Sequence, residues 1–301
     1  MPDMGEYIGA VEAGGTTCRC AVALDPMNTI ADQTITTRDP DRTLGDVLAF
    51  FAAQPPISHL GVGAFGPVLI DPDDPRDGTI LNTPKTAWRN TPVKGLLQRA
   101  LQVPVSIETD VGAAALAEAQ FGGVRNSDTL AYVTVGTGIG GALVTAGQLN
   151  PQSRHSEMGH IYVPRAATDK FPGCCPSHAD CLEGLASAKA IAARWAAAPE
   201  TLPADHPAWV LQAHYLGHLC THILRIAAPA RILIGGGVLN ADGLIEKIRK
   251  AVLHQMGDYH AYTEAELHAV IARPTLAPDS GLIGALTLAH RARTQAERSL
   301  V

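Results

Sequence analysis

Val11-Glu12-Ala13-Gly14-Gly15-Thr16-Thr17-Cys18-Arg19-Cys20 is the stretch that decides the fold. Upstream of the glycines, Tyr7 to Glu12 is a short apolar run that reads as a strand. Downstream, Cys18 to Leu24 has a rough period of two and reads as a second strand, so Gly14-Gly15-Thr16-Thr17 forms a hairpin turn. Glycine at a strand end lets the backbone come close to a ligand. The N–H groups of such a turn make a pocket for phosphate oxygens, and Thr16 and Thr17 add hydroxyl donors.

The pattern returns further along. Leu130 to Val135 reads as a strand that ends in Gly136-Thr137-Gly138-Ile139-Gly140-Gly141, and strand character resumes at Ala142 to Thr145. Arg231 to Ile234 is a short buried strand ending in Gly235-Gly236-Gly237, before an expected helix over 239–250. Each cluster alone reads as an ordinary hairpin or bulge. A Walker-type loop requires Gly-Lys-Ser/Thr, which the chain lacks. A dinucleotide fingerprint places its glycines between strand and helix, whereas the first two clusters lead into strands. Two strand–turn–strand clasps, one per lobe, suit a nucleotide held in a cleft, with the third cluster flooring the base or ribose.

Other elements complete an α/β outline. Strands are expected at 57–65 and 103–108, and helices at 111–121, 182–198, 207–226 and 282–293. The expected division is a small lobe over 1–116, a large lobe over 117–280 carrying the His/Cys-rich loop, and a last helix, 281–297, returning to the first lobe.

The 301 residues suffice for two lobes and a sizeable core. A formal net charge of −6 without basic clusters argues against nucleic acid as partner. Met1-Pro2-Asp3-Met4-Gly5-Glu6 shows no leader pattern, and no run of about twenty apolar residues suggests a membrane span. The expected compartment is the cytoplasm. Of six cysteines, Cys174, Cys175 and Cys181 crowd together, which in a cytoplasmic protein favours metal over disulfide. His160, Cys175, His178 and Cys181 supply two His and two Cys, a complement for tetrahedral structural zinc. Cys174 competes with Cys175, but Cys175 gives the even spacing.

Asp110 follows a strand and opens a helix. The position alone admits two readings, a helix N-cap or a general base aimed into a cleft.

Six stretches together resemble the ROK family of sugar kinases and sugar-responsive repressors. They are Val11 to Thr16, Thr109-Asp110-Val111, Val135 to Gly141, Glu157-Met158-Gly159-His160, Cys175 to Gly184 and Ile234 to Val238. Glu12, and Asn82-Thr83-Pro84-Lys85 before Trp88, make the chain most similar to the zinc-containing bacterial fructokinases. The resemblance implies an actin-like ATPase (ribonuclease H-like) fold with the site between two lobes. It implies ATP:D-fructose 6-phosphotransferase activity and a homodimer. It assigns the ATP phosphates to Gly14, Gly15, Thr16, Thr17, Gly136, Thr137 and Gly138, and adenosine to Gly235, Gly236 and Gly237. Glu12 would help place Mg²⁺ through water, Asp110 would be the base, and Glu157, His160 and Glu183 would contact sugar hydroxyls. Lys189, after Ala188 where fructokinases often show Gly-Pro, would approach the nucleotide or else simply be solvated. The chain departs from the family's usual Lys at Thr17 and from its usual Asn at Gly112; loss of the charge at Thr17 would either weaken phosphate binding or shift the role to Arg19. Mannokinase and glucokinase are the neighbouring expectations. A sugar sensor without turnover is a different class, disfavoured by Glu12 and Asp110. An ATPase with a protein partner is another, disfavoured by the compact length.

Overall fold

A computed structural model describes residues 6–125, 128–149, 155–259 and 261–299. Residues 1–5, where the leader was sought, lie outside them. The described residues fall into two units. The first draws on 6–122, 148–149, 155 and 278–299, and the second on 123–125, 128–147, 156–259 and 261–277.

The first unit opens with β1 (Tyr7–Ala13), β2 (Thr17–Ala23), β3 (Thr29–Thr36), α1 (Pro40–Ala52) and β4 (Ile57–Ala64). It continues with α2 (Val93–Leu101), β5 (Val105–Thr109) and α3 (Asp110–Phe121). The strands order as β3-β2-β1-β4-β5. β1, β2 and β3 are antiparallel, while β4 and β5 join in parallel. Strand alternation sorts β1 onto two faces. Val11 and Ala13 join a core with Phe50, Phe51, Val62 and Leu97. Ile8 and Ala10 pack with Leu282, Ala285, Leu286 and Ala289 of the chain's last helix, Ser280–Arg298. Each buried leucine there contributes about 1.5–3 kcal/mol.

Sequence periodicity missed β3, α1 and α2. β3 is largely exposed and polar, as befits an edge strand. α1 carries a readable start: the Asp39 side chain accepts from the Arg42 N–H, with Pro40 in the first turn.

The second unit contains β6 (Thr129–Val135), β7 (Ile139–Thr145), α4 (Leu182–Ala186), α5 (Ala188–Trp195) and α6 (Ala208–Ala227). β8 (Arg231–Gly235), α7 (Leu244–Met256), α8 (Glu264–Val270) and β9 (Ile271–Ala272) follow. α9 (Ser280–Arg298) returns to the first unit. β7 pairs antiparallel with β6, β8 parallel with β6, and β9 parallel with β8. Val133, Val135, Ile232 and Ile234 meet Leu182, Ile191, Leu216, Ile223 and Ile248 in one core.

Three expected boundaries are corrected. The 182–198 helix is two helices, because Ser187 is extended and its hydroxyl accepts from the Ala190 N–H, restarting the helix. β7 begins at Ile139, so the turn is Gly136-Thr137-Gly138 and Gly140 and Gly141 belong to the strand. The helix expected at 239 starts at Leu244, since Gly237–Asn240 is a 3₁₀ turn and Gly243 has φ +69°.

Candidate active site

In the first unit, Gly14 N–H donates to Thr17 C=O at 2.9 Å, closing the β1–β2 turn. Thr37 braces it from outside: its hydroxyl donates to Gly14 C=O and its N–H to Thr16 C=O, both at 2.9 Å. Sequence reasoning missed Thr37, because nothing local joins it to residue 14. The N–H groups of Gly15 and Thr16 have no protein acceptor among the described residues. Such outward donors are what a phosphate oxygen requires.

Glu12 lies opposite Arg19 across the two strands. Their charged groups stand 3.7 Å apart, and Arg19 also donates to Asp279 at 2.7 Å. Burial pushes Glu12 up to about 7; Arg19 opposes the shift, and the charges of Asp110 and Asp279 add to it. Glu12 Oε2 is buried without a hydrogen-bond partner. A buried carboxylate oxygen lacking a donor suits a cation or its bound water, so the residues present fit Mg²⁺ at this edge.

Asp110 is the first residue of α3, and the capping role belongs to Thr109, whose hydroxyl accepts from Gly112 N–H at 2.9 Å. The N-cap reading of Asp110 is thereby corrected. One Asp110 oxygen accepts from Val111 N–H at 2.8 Å, which orients the carboxylate on the helix end. Gly112 has a tertiary reason: a Cβ there would lie 2.7 Å from Thr109 Oγ1 and 2.8 Å from Glu108 Cγ. Glu108, unnoticed in the sequence, fills the space that a larger residue at 112 would need.

In the second unit, Gly136 N–H donates to Gly138 C=O at 2.9 Å, and Ala188 N–H, at the start of α5, donates to Gly136 C=O at 2.8 Å. Glu183 Oε2 accepts from Ile139 N–H at 2.9 Å. A Cβ on Gly138 would sit 2.5 Å from that oxygen. Glu183 and the Gly136–Gly138 turn thus form one piece. Thr137 is exposed at the tip, and Lys189 is exposed in the first turn of α5. Gly236, at φ +92°, lies directly on the backbone of Val135, where any side chain would collide. The Gly235–Gly237 and Gly136–Gly138 turns therefore adjoin at the ends of parallel β8 and β6.

The same unit gathers the His/Cys set. One ligand atom each from His160, Cys175, His178 and Cys181 lies within 4.8 Å of the others. His160 Nδ1 is 3.5 Å from Cys181 Sγ and 3.8 Å from Cys175 Sγ, and His178 Nδ1 is 3.8 Å from Cys175 Sγ. Tetrahedral zinc with ordinary bond lengths separates such atoms by about 3.5–3.8 Å, so this donor set fits zinc. Cys175 and Cys181 are buried, while Cys174 is exposed and outside the group. Burial, then the neighbouring Cys175 thiol, push Cys181 up to about 11. The other ring nitrogen of His160 faces Glu157 at 4.0 Å. One imidazole thus links the cysteine cluster to a predicted sugar-contact carboxylate.

The family model for the ROK family matches residues 8–292. The chain belongs to the ROK family. It is 37% identical over 303 residues to a fructokinase of Zymomonas mobilis, covering 98% of this chain and 100% of that one. Among solved structures, a ROK hexokinase from Thermus thermophilus matches with a TM-score of 0.75 at 24% identity, over 96% of this chain and 99% of that one. A ROK family glucokinase from Streptomyces griseus, in complex with glucose and AMPPNP, matches with a TM-score of 0.74 at 22% identity, over 95% and 99%. The ROK chain accordingly has the actin-like ATPase fold expected from its sequence. No helix among the described residues is long and apolar enough to cross a membrane.

Proposed function

We propose that this ROK protein is a sugar kinase that transfers the terminal phosphoryl group of ATP to the 6-hydroxyl of D-fructose, with Asp110 as general base. The observation that carries the reading is Asp110 itself, relieved of capping by Thr109 and held at the start of α3 by Val111. The fructokinase relative at 37% identity supports fructose over other hexoses.

In this reading the sugar hydroxyl oxygen bonds to the γ-phosphorus, the bond to the β,γ-bridging oxygen breaks, ADP departs and the hydroxyl proton passes to Asp110. Such transfer depends on positioning and charge more than on covalent chemistry. Gly15 and Thr16 N–H groups, with Gly136, Thr137 and Gly138, would bind phosphate oxygens, Gly235 to Gly237 would line the adenosine, and Lys189 would approach the nucleotide. Glu12 would hold Mg²⁺ through water, and the ion supplies neutralisation of phosphate charge. Glu157, His160 and Glu183 would bind hydroxyls of the hexose. His160, Cys175, His178 and Cys181 would hold one structural zinc that keeps the Glu157–Glu183 loop in shape. The protein would act in the cytoplasm as a homodimer.

Magnesium-dependent ADP release measured against fructose, mannose, glucose and N-acetylated hexosamines tests this. Turnover highest with fructose is expected. Binding of fructose without turnover would make the protein a sensor and overturn the reading, as would ATPase activity indifferent to sugar.

A further inference from the structure

A phosphate tail brought to the Gly14–Thr17 turn meets an unfavourable field. Glu12, Asp110 and Asp279 all act on this end of β1. Thr17, at the start of β2, carries no charge. The sequence-based expectation that Arg19 supplies the missing cation conflicts with the geometry, since its guanidinium is engaged by both Glu12 and Asp279. Arg38, next along from the bracing Thr37, is paired with Asp46.

Lys85 is different. A Cβ placed on Gly15 would have Lys85 Cε as its nearest neighbour, at 3.6 Å. The ammonium lies 5.8 Å from the centre of the Phe65 ring and makes no ion pair with any described residue. Its loop is firmly held. Thr83 is buried, Lys85 N–H donates to the Thr83 hydroxyl at 3.4 Å, and Arg89 Nε donates to Thr83 C=O at 2.8 Å. Trp88 is buried edge-on against Phe65, and its indole donates to Arg38 C=O. Phe65 N–H in turn donates to Ala13 C=O, one residue before the turn. A chain of contacts thus fixes the lysine stem against Gly15 while its head makes no ion pair with a described residue.

We infer that Lys85 is the phosphate-binding cation of this turn, its ammonium meeting the same nucleotide oxygens as the Gly15 and Thr16 N–H groups. The inference rests on the kinase reading above and assigns a residue to it. A lysine ammonium is a compact point charge with three donors, suited to a phosphate tail.

Calorimetric titration with ADP and with adenosine decides the matter, alongside the KM values for ATP and fructose. Lys85→Met should weaken ADP about 10–100-fold, the range of a charge-assisted hydrogen bond, with adenosine affinity and fructose KM unchanged. Lys85→Arg should retain most of the affinity. Thr17→Lys in the Lys85→Met background, which returns an ammonium to the same turn, should restore ADP binding. Equal losses for ADP and adenosine would mark a merely structural residue and overturn the inference, as would unchanged ADP affinity or a defect confined to fructose KM. Unchanged thermal unfolding of Lys85→Arg controls for folding. If the wild-type protein binds ADP but phosphorylates no hexose, the kinase reading fails, while the ADP-against-adenosine comparison still tests Lys85.

Discussion

The two glycine hairpins share a shape and differ in everything around it. The Gly14–Thr17 turn is surrounded by ionisable groups: Glu12, Arg19, Asp279 and Asp110, with Lys85 against Gly15. The Gly136–Gly138 turn is held by packing and hydrogen bonds, from Glu183 to Ile139 N–H, from Ala188 to Gly136 and from Gly236 against Val135. A strand–turn–strand clasp thus serves either as an electrostatic device or as a rigid cradle, depending on what the tertiary structure brings to it. Variants at the first hairpin should move charge-dependent readouts, and variants at the second should move stability and sugar affinity.

The largest expected effect tests the electrostatic side. Asp110→Asn keeps the size of the side chain and removes the proton acceptor. Turnover should fall by up to about 10⁴-fold, near 5.5 kcal/mol of barrier. Far-UV circular dichroism and thermal unfolding should be unchanged. Near-normal turnover would remove Asp110 from the chemistry and erase the contrast between the hairpins.

Next comes the cysteine cluster. Elemental analysis should give one zinc per chain. Cys181→Ala, or exhaustive chelation, should cost about 4 kcal/mol or more of stability, as loss of a structural metal does, and should raise the KM for fructose. Cys174→Ala should leave both unchanged, because that thiol is exposed and outside the group. If the two cysteine variants behave alike, the zinc assignment is wrong.

Glu12 gives a pH test. Its carboxyl is raised in the folded state to about 7, chiefly by burial. The folded state therefore keeps its proton where the unfolded chain has lost it, so stability declines as pH rises from about 4.5 to about 7 and levels off above. The decline due to this group should reach about 3 kcal/mol in the magnesium-free protein. Urea midpoints at pH 5 and pH 8 should show it, and Glu12→Gln should flatten it. A slope that survives the substitution would mean another group carries it.

The smallest effects come from the turns themselves. Gly138→Ala forces Glu183 off Ile139 N–H and should cost about 1.5–3 kcal/mol in stability, the range for a hydrogen bond to a charged group. Gly15→Ala meets only Lys85 Cε at ordinary contact distance and should stay within about 0.5 kcal/mol. Equal costs at the two positions would break the distinction between cradle and electrostatic clasp.

Much of this was legible beforehand. The hairpins, the strand before Asp110, the His/Cys spacing and the order of the motifs are local patterns, and local patterns survive in a linear reading. The misses share one cause. The extended conformation at Ser187 interrupts a stretch whose apolar periodicity runs straight through, so two helices read as one. β3 buries little and leaves no apolar signature. Thr37 and Glu108 act through contacts that no spacing rule connects to the glycines.

From the residues alone came the α/β class, the glycine turns, the His/Cys set proposed for zinc and the family, because each depends on residue type at short range. The tertiary structure decided how the charges are shared. Arg19 is occupied by two carboxylates, Lys85 comes from seventy residues away to lie on Gly15, and Thr109 takes the cap that would have engaged Asp110. Charge acts through space and responds to burial, so which ionisable group serves which turn is settled only once the chain has folded.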